Sequence, residues 1–446
     1  MRYTGWDDGQ LRVSQNGRTL RIGEKPFFWL GDTAWLLFQK LQVEEARQYL
    51  EDRARKGYTV IQCVFWHPQN DHDFASDLPA GIHDQKYWER CDKILEIAQD
   101  LGLVMAVLPC WGSVITSGSL NLQEYLAYLD ALEKKVRSYS NLVWLLGGDV
   151  RGSAALEFYR SAGEFLKERN PGRLIGFHPF GRTSSSRWFH KEPWLDFNMF
   201  QSGHRRYGQT FLKAWDDMDG EPNYGEDNWR YVREDLLLRP AKPTVDGEPS
   251  YEDIPQGLHD DSQPRWQPAD VRRYAYWSVF QGAMGHTYGD NAVMQFYHGT
   301  EKGAYGVSEP WTSALNRPGA SQMPILRRLM ESIRFETGCS REDLLLSPQG
   351  ERHDHVSVFA GSGFLLAYTA AERPLRVSLT PFEGQQITAC WMNPETGRFT
   401  EEQNVTGQRK LETVPPQRES GRDWVLLVRA KSLSASANPN REGTSL

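Results

Sequence analysis

The chain predicts a (β/α)8 barrel followed by a small all-β sandwich. Short, nearly continuous apolar runs alternate with helical stretches eight times, the signature of a parallel sheet buried on both faces. The length, 446 residues, suits a barrel of roughly 250–330 residues plus a module. Past about residue 340 the pattern changes to short alternating strands.

The elements follow in order. LRVSQNGRTLRI opens a hairpin over 11–29 with Asn16-Gly17 as its turn. FFWLGDTAW (27–35) is the first barrel strand, and the helix after it, 43–57, stops at Gly57, which suits the left-handed conformation past a helix. YTVIQCVFW (58–66) is the second strand; Tyr87, Cys91, Ile94, Leu95, Ala98 and Leu101 then recur at helical spacing. LVMAVLPCW (103–111) is the third, followed by a helix marked by Tyr125, Leu126, Leu129, Leu132 and Val136. NLVWLLGGD (141–149) is the fourth, with a helix over 154–169 behind it. RLIGFHPFG (173–181), LDFNMFQSG (195–203), KPTVDGEPS (242–250) and GAMGHTYGD (282–290) are the fifth to eighth. An open doubly wound sheet is the alternative, weakened because no GxGxxG turn follows the first strand. The expected domains are 1–338 for the barrel with its hairpin, 339–431 for the sandwich and 432–446 for a disordered polar tail.

Composition narrows the function. A net charge of −7 argues against a nucleic-acid partner, and neither a lipidation signal nor an 18-residue apolar stretch points to a membrane. Five scattered cysteines without a CxxC pair fit neither a disulfide framework nor a zinc site. The N-terminal sequence shows no apolar signal region, so the expected location is the cytoplasm. Sixteen Trp, 18 Tyr and 20 Phe exceed ordinary packing needs, and flat aromatic faces suit sugar rings. The oligomeric state is not legible.

On a barrel, polar residues ending the strands project into the catalytic face. They are Asp32, Trp66 and His67, Trp111, Asp149, His178, Gln201 and His204, Glu248, and His286 and Asp290, from the first strand to the eighth. This ring lacks Lys and Arg, which favours a neutral polyol such as a sugar over a phosphate or carboxylate. Trp35 and Tyr251 complete the expected sugar contacts. Two carboxylates across a cleft are what glycoside cleavage requires. Asp149 follows two glycines, and Glu248 sits between Gly247 and Pro249. In the large clan of retaining barrel hydrolases the acid/base follows the fourth strand and the nucleophile the seventh, the places these two occupy. Asp246 shares the face of Glu248 in an extended strand and is the rival carboxylate. A metal site from His67, His178, His204 and His286 lacks local ligand spacing, so no metal or cofactor is expected. No nucleophile elbow, P-loop or Rossmann fingerprint occurs.

FFWLGDTAW, YTVIQCVFW, NLVWLLGGD, KPTVDGEPSYE and WTSALNRPGASQM, in that order, resemble the apiosidase-like catalytic domains, glycoside hydrolase family 140 and its relatives. The resemblance spans about residues 10–335, and the C-terminal part, with WMNPETGRF, is similar to the collagen-binding-type sandwich appended to many members. It implies a retaining mechanism on apiose-like or other furanosidic linkages in plant glycans. Asp149 would then be the acid/base, Glu248 the nucleophile and Asp32 a substrate-binding residue. Members acting on polysaccharide are generally exported, so the absent signal favours an imported oligosaccharide or small glycoside. The carboxyl groups are expected about 5–5.5 Å apart, whereas inversion would need about 6.5–9.5 Å. Rival readings are a hydrolase of another sugar, such as an arabinofuranosidase or pyranosidase, and a non-catalytic carbohydrate-binding protein.

Overall fold

A computed structural model describes residues 10–68, 84–209, 224–416 and 423–431. The expected tail at 432–446 lies outside the described residues. The chain divides into two compact units, 1–278 with 283–324, and 279–282 with 325–446.

The first unit opens with β1 (Leu11–Val13), β2 (Leu20–Ile22) and β3 (Lys25–Phe27), an antiparallel ribbon in which Leu11 faces Ile22 and Leu20 faces Phe27. Asn16-Gly17 turns the first hairpin: Asn16 Oδ1 accepts from Arg18 N at 2.9 Å, and Gly17 has φ +69°. The third strand of the ribbon was not anticipated.

Eight parallel strands follow: β4 (Trp29–Thr33), β5 (Val60–Val64), β6 (Val104–Leu108), β7 (Leu142–Val150), β8 (Ile175–Pro179), β10 (Asn198–Gln201), β11 (Thr244–Asp246) and β12 (Gly285–Tyr288). Seven fall inside their expected windows, and β7 runs one residue past its window of 141–149. Nearly every strand residue is buried, because one side faces the barrel interior and the other the helices. Three of the long helices are amphipathic and begin with a side-chain cap. Val43–Lys56 begins with a Gln42/Glu45 capping box and ends at Gly57 (φ +99°). Gln85–Asp100 begins with Asp84 accepting from the Lys86 and Tyr87 amides, and Leu122–Val136 with an Asn121/Glu124 box.

The ring is irregular between β8 and β10. There Asp196 bridges the seam twice: its amide donates to Ile175 O at 2.9 Å, and its carboxylate accepts from Ile175 N at 2.7 Å. Further along, the two-residue strand β9 (Thr183–Ser184) pairs antiparallel with β10 and satisfies its remaining edge.

The large aromatic content is mostly structural. Trp29, Trp144, Trp194, Trp266, Trp277 and Trp311 are fully buried, each removing a large apolar surface from water. No helix among the described residues is long and apolar enough to cross a membrane, and all five cysteines are free thiols.

The second unit is all-β. β13 (Cys339–Ser340), β14 (Val356–Gly361), β15 (Phe364–Thr369), β20 (Trp424–Ala430), β17 (Ile387–Met392) and β18 (Gln403–Asn404) form one antiparallel sheet in that spatial order, and β16 (Leu375–Ser378) pairs with β19 (Lys410–Thr413) in another. Val358, Leu365, Leu426 and Trp391 of the larger sheet share one core with Leu375, Val377 and Leu411 of the smaller, as in a sandwich.

Candidate active site

The end of β7 is built to turn a carboxylate inward. Gly147 (φ +86°), Gly148 (φ +102°) and Asp149 (φ +54°) are all left-handed, and the pairing with β8 shifts between Gly147 and Val150. Glycine is required here twice over. A Cβ at Gly147 would lie 2.3 Å from His178 O, and one at Gly148 2.9 Å from Gly112 N. Asp tolerates the left-handed region better than most residues, and strain of this kind gathers at functional sites.

Glu248 follows β11 in a turn tied to its neighbours. Gly247 N donates to Phe200 O at 2.8 Å, Gln62 Nε2 donates to Gly247 O at 2.9 Å, and Gly203 N donates to Glu248 O at 3.0 Å. Glu248 is buried, its side chain only 8% exposed. Its Oε1 lies 2.9 Å from His204 Nε2, and its Oε2 lies 3.3 Å from His178 Nε2. The Tyr251 amide donates to His204 Nδ1 at 3.4 Å. Nδ1 therefore serves as the acceptor, which leaves Nε2 to carry the hydrogen that points at Glu248. The Tyr251 ring also packs edge-on against His204, 4.8 Å between centroids.

These surroundings drive the two carboxyls apart. Burial and the nearby Glu248 charge push Asp149 up to about 7. Burial would raise Glu248 as well, but hydrogen bonds from His178 and His204 overcome it and hold the group down at about 2.

Both acids open onto a cavity of about 130 Å³, walled by Trp35, His67, Trp111, Gln201, His204 and Tyr251 of the expected residues, together with Leu36, Ile254, Leu258, Met294, Gln295, Ala304 and Tyr305. A second compartment of about 240 Å³ shares Asp149, Gln201, His204, Leu258 and Tyr305 with the first and adds Phe180, Arg182, Arg205 and His259. Glu248 faces the first compartment and Asp149 both. His178 lies beneath Glu248, fully buried, with its ring edge-on to Trp35.

Four expected residues are elsewhere. Asp32 is fully buried and bound to Arg53 Nε at 2.5 Å and Tyr49 OH at 2.6 Å, so it anchors the helix behind β4 and does not reach the cavity. His286 is buried in the barrel, 3.2 Å from Ser278 Oγ. Asp290 caps the short helix Asn291–Met294 through the Ala292 and Val293 amides and pairs with Arg317 at 2.8 Å. Trp66 packs against the core instead of the cavity wall. The rival Asp246 is fully buried below Glu248. The expectation of a mouth without cations also needs correction, since Arg182 and Arg205 wall the second compartment. They come from segments just past the fifth and sixth strands, beyond the strand-end positions. Tyr305 was missed for a similar reason: it arrives on a loop, and its only signal is a position between Gly303 and Gly306, where its φ is +53°.

Among the described residues, Asp149, His178 and Glu248 form the group that could meet on a cation, each offering one atom within 4.8 Å of the others.

Comparison with known proteins identifies the family. Residues 14–337 match the family model "Apiosidase-like, catalytic domain", and residues 341–429 match that of a collagen-binding domain of a collagenase. A solved structure called a glycoside hydrolase is 37% identical, with a TM-score of 0.87, covering 97% of this chain and 99% of the other. A glycoside hydrolase family 5 structure from Bacteroides vulgatus ATCC 8482 is 35% identical, with a TM-score of 0.88, covering 97% and 96%. No curated protein matches the chain. With a carboxylate pair at the mouth of a barrel and a family match over most of its length, this chain belongs to the apiosidase-like family and is a glycoside hydrolase.

Proposed function

We propose that the protein is a retaining glycosidase that cleaves a furanosidic, apiose-like linkage in plant-derived glycans or glycosides by double displacement. The carrying observation is the spacing and inequality of the two acids. One carboxyl oxygen of Asp149 and one of Glu248 lie within 4.8 Å of each other, which accords with the retaining separation of about 5–5.5 Å between carboxyl groups. Glu248, held ionised, attacks the anomeric carbon of the sugar in the first compartment. Asp149, protonated up to about pH 7, gives its proton to the departing oxygen. Once Glu248 is esterified its charge is gone, so the main electrostatic cause of the raised Asp149 disappears. Asp149 then accepts a proton from water as the glycosyl-enzyme is hydrolysed.

The compartments assign the two ends of the substrate. Glu248 reaches only the first, which therefore takes the cleaved sugar; Asp149 reaches both, so the scissile oxygen sits between them. Trp35 and Trp111 offer aromatic surface to the sugar. Arg182 and Arg205 give the leaving side a cationic wall, which favours an aglycone bearing a carboxylate or similar anion.

The test is hydrolysis of a panel of aryl furanosides and pyranosides, including apiosides and arabinosides, by wild type, Asp149→Ala and Glu248→Ala. Cleavage of a furanoside with retained configuration, lost by about a hundredfold or more in both variants, is the expected result. Cleavage of pyranosides alone would replace the sugar assignment, and an inverted product would remove the nucleophile.

A further inference from the structure

We propose that Asp246 is a positioning residue for the reaction: its buried carboxylate ties the β11 end that carries Glu248 to the start of the His204 loop, and so sets the Glu248–His204 pair for attack. The inference rests on Glu248 being the nucleophile.

Asp246 ends β11 beside β10, in register with Phe200, and is fully buried. Its Oδ2 accepts from Ser202 Oγ at 2.6 Å and from Asn228 Nδ2 at 3.1 Å, and its Oδ1 accepts from Ser202 N at 3.3 Å. Asn228, fully buried, is in turn fixed by donating to Tyr274 O at 2.8 Å. Asp246, two residues before Glu248, therefore holds Ser202, two residues before His204, and joins the two segments. The two loops are tied a second time on the far side, where Gly203 N donates to Glu248 O at 3.0 Å and Ser250 Oγ donates to Gly203 O at 3.0 Å.

The chemistry of the surroundings supports positioning over simple filling. Every group named on Asp246 is a donor, and a carboxylate, which only accepts, can take all of them at once. Burial pushes its carboxyl up to about 7 against those donors, so the charge is costly where it stands. An apolar side chain of similar size would fill the space at less cost but would release the Ser202 amide, the Ser202 hydroxyl and the Asn228 amide. A misplacement of about 1 Å near reacting atoms can cost on the order of a hundredfold in rate.

The test uses the full chain with Asp246→Asn, Asp246→Ala and Ser202→Ala, and two readouts. The first is kcat and KM on whichever aryl glycoside the wild type cleaves. The expected result is a fall in kcat of about a hundredfold for Asp246→Ala, about tenfold for Asp246→Asn and Ser202→Ala, with KM nearly unchanged. The second is independent of substrate: the imidazole nitrogen shifts of His204 in ¹⁵N-histidine-labelled protein. In wild type these should report hydrogen on Nε2, with that signature lost or averaged in the variants at temperatures where circular dichroism shows them folded. If Asp246→Ala does not fold, the two milder variants carry both readouts. Unchanged kcat with only a lowered melting point, or unchanged His204 shifts, would overturn the role. If the wild type cleaves nothing on the panel, the furanoside assignment fails and the His204 shifts alone decide the positioning.

Discussion

Asp149 and Glu248 are both carboxylates on one cavity, yet their surroundings push their protons in opposite directions, and a pH profile reads the difference. Because Asp149 must be protonated to act and is raised to about 7, kcat/KM should fall as pH rises through about 7. Glu248, held at about 2, stays ionised across the working range, so the acid side should be nearly flat down to about pH 4. His204→Ala removes a hydrogen bond that favours the ionised Glu248. It should move the acid limb toward neutrality while leaving the alkaline limb in place; rates between pH 3.5 and 8.5 check this. An acid limb that does not move would mean that His204 leaves the nucleophile's charge untouched. These two acids were legible because glycine and proline around a strand end mark where backbone is bent to aim a side chain. Asp32, His286 and Asp290 satisfied the same strand-end rule and yet serve structure. The rule cannot tell whether a side chain turns into the mouth or back toward a helix, as Asp32 does toward Arg53. Arg182, Arg205 and Tyr305 reach the cavity from loops, where one-dimensional periodicity carries no direction.

At the scale of elements, the bent end of β7 is the most exacting piece of backbone in the barrel. Gly147→Ala would place a methyl 2.3 Å from His178 O at φ +86°, so both the strand pairing and the chain direction would have to give. The expected outcome is destabilisation of about 1–3 kcal/mol and loss of most activity, read by thermal melting and by the panel assay. A variant that melts like wild type would show that the turn is pliable. Asp196→Ala tests the other irregular element. It removes the acceptor for the Ile175 amide at the β8–β10 seam and should cost about 1–3 kcal/mol without changing the shape of the pH profile. The eight parallel strands were legible because burial on both faces leaves continuous apolar runs that no surface segment imitates. The ribbon strand β3 and the two-residue β9 were not, since neither is long enough to show a period. The seam is held by a side chain acting as backbone, which no pattern of hydrophobicity records.

The two compact units differ in what they bury, and that difference predicts how the whole molecule melts. The barrel encloses carboxyls raised by burial: Asp149 and Asp246 to about 7 and Asp235 to about 6. A raised carboxyl favours the folded state fully below its unfolded value of 3.8, and that contribution is lost as pH rises through the folded value. The barrel should therefore lose stability between about pH 4 and pH 7, partly opposed by Glu248, whose lowered pKa acts in the other direction at the acid end. In the second unit Asp343 is lowered by its pairing with Arg341, so it stays ionised throughout this interval. The stability of that unit should then be nearly constant over the same interval. Scanning calorimetry at pH 5 and pH 8 should show one transition that moves down by roughly 5 °C or more and one that stays. Asp235→Asn cannot ionise and should reduce the movement of the first transition while leaving the second where it is. Two transitions shifting in parallel, or an Asp235→Asn protein with the wild-type pH slope, would mean that the buried acids do not govern the stability of the barrel and that the inequality inside the active site is a local matter.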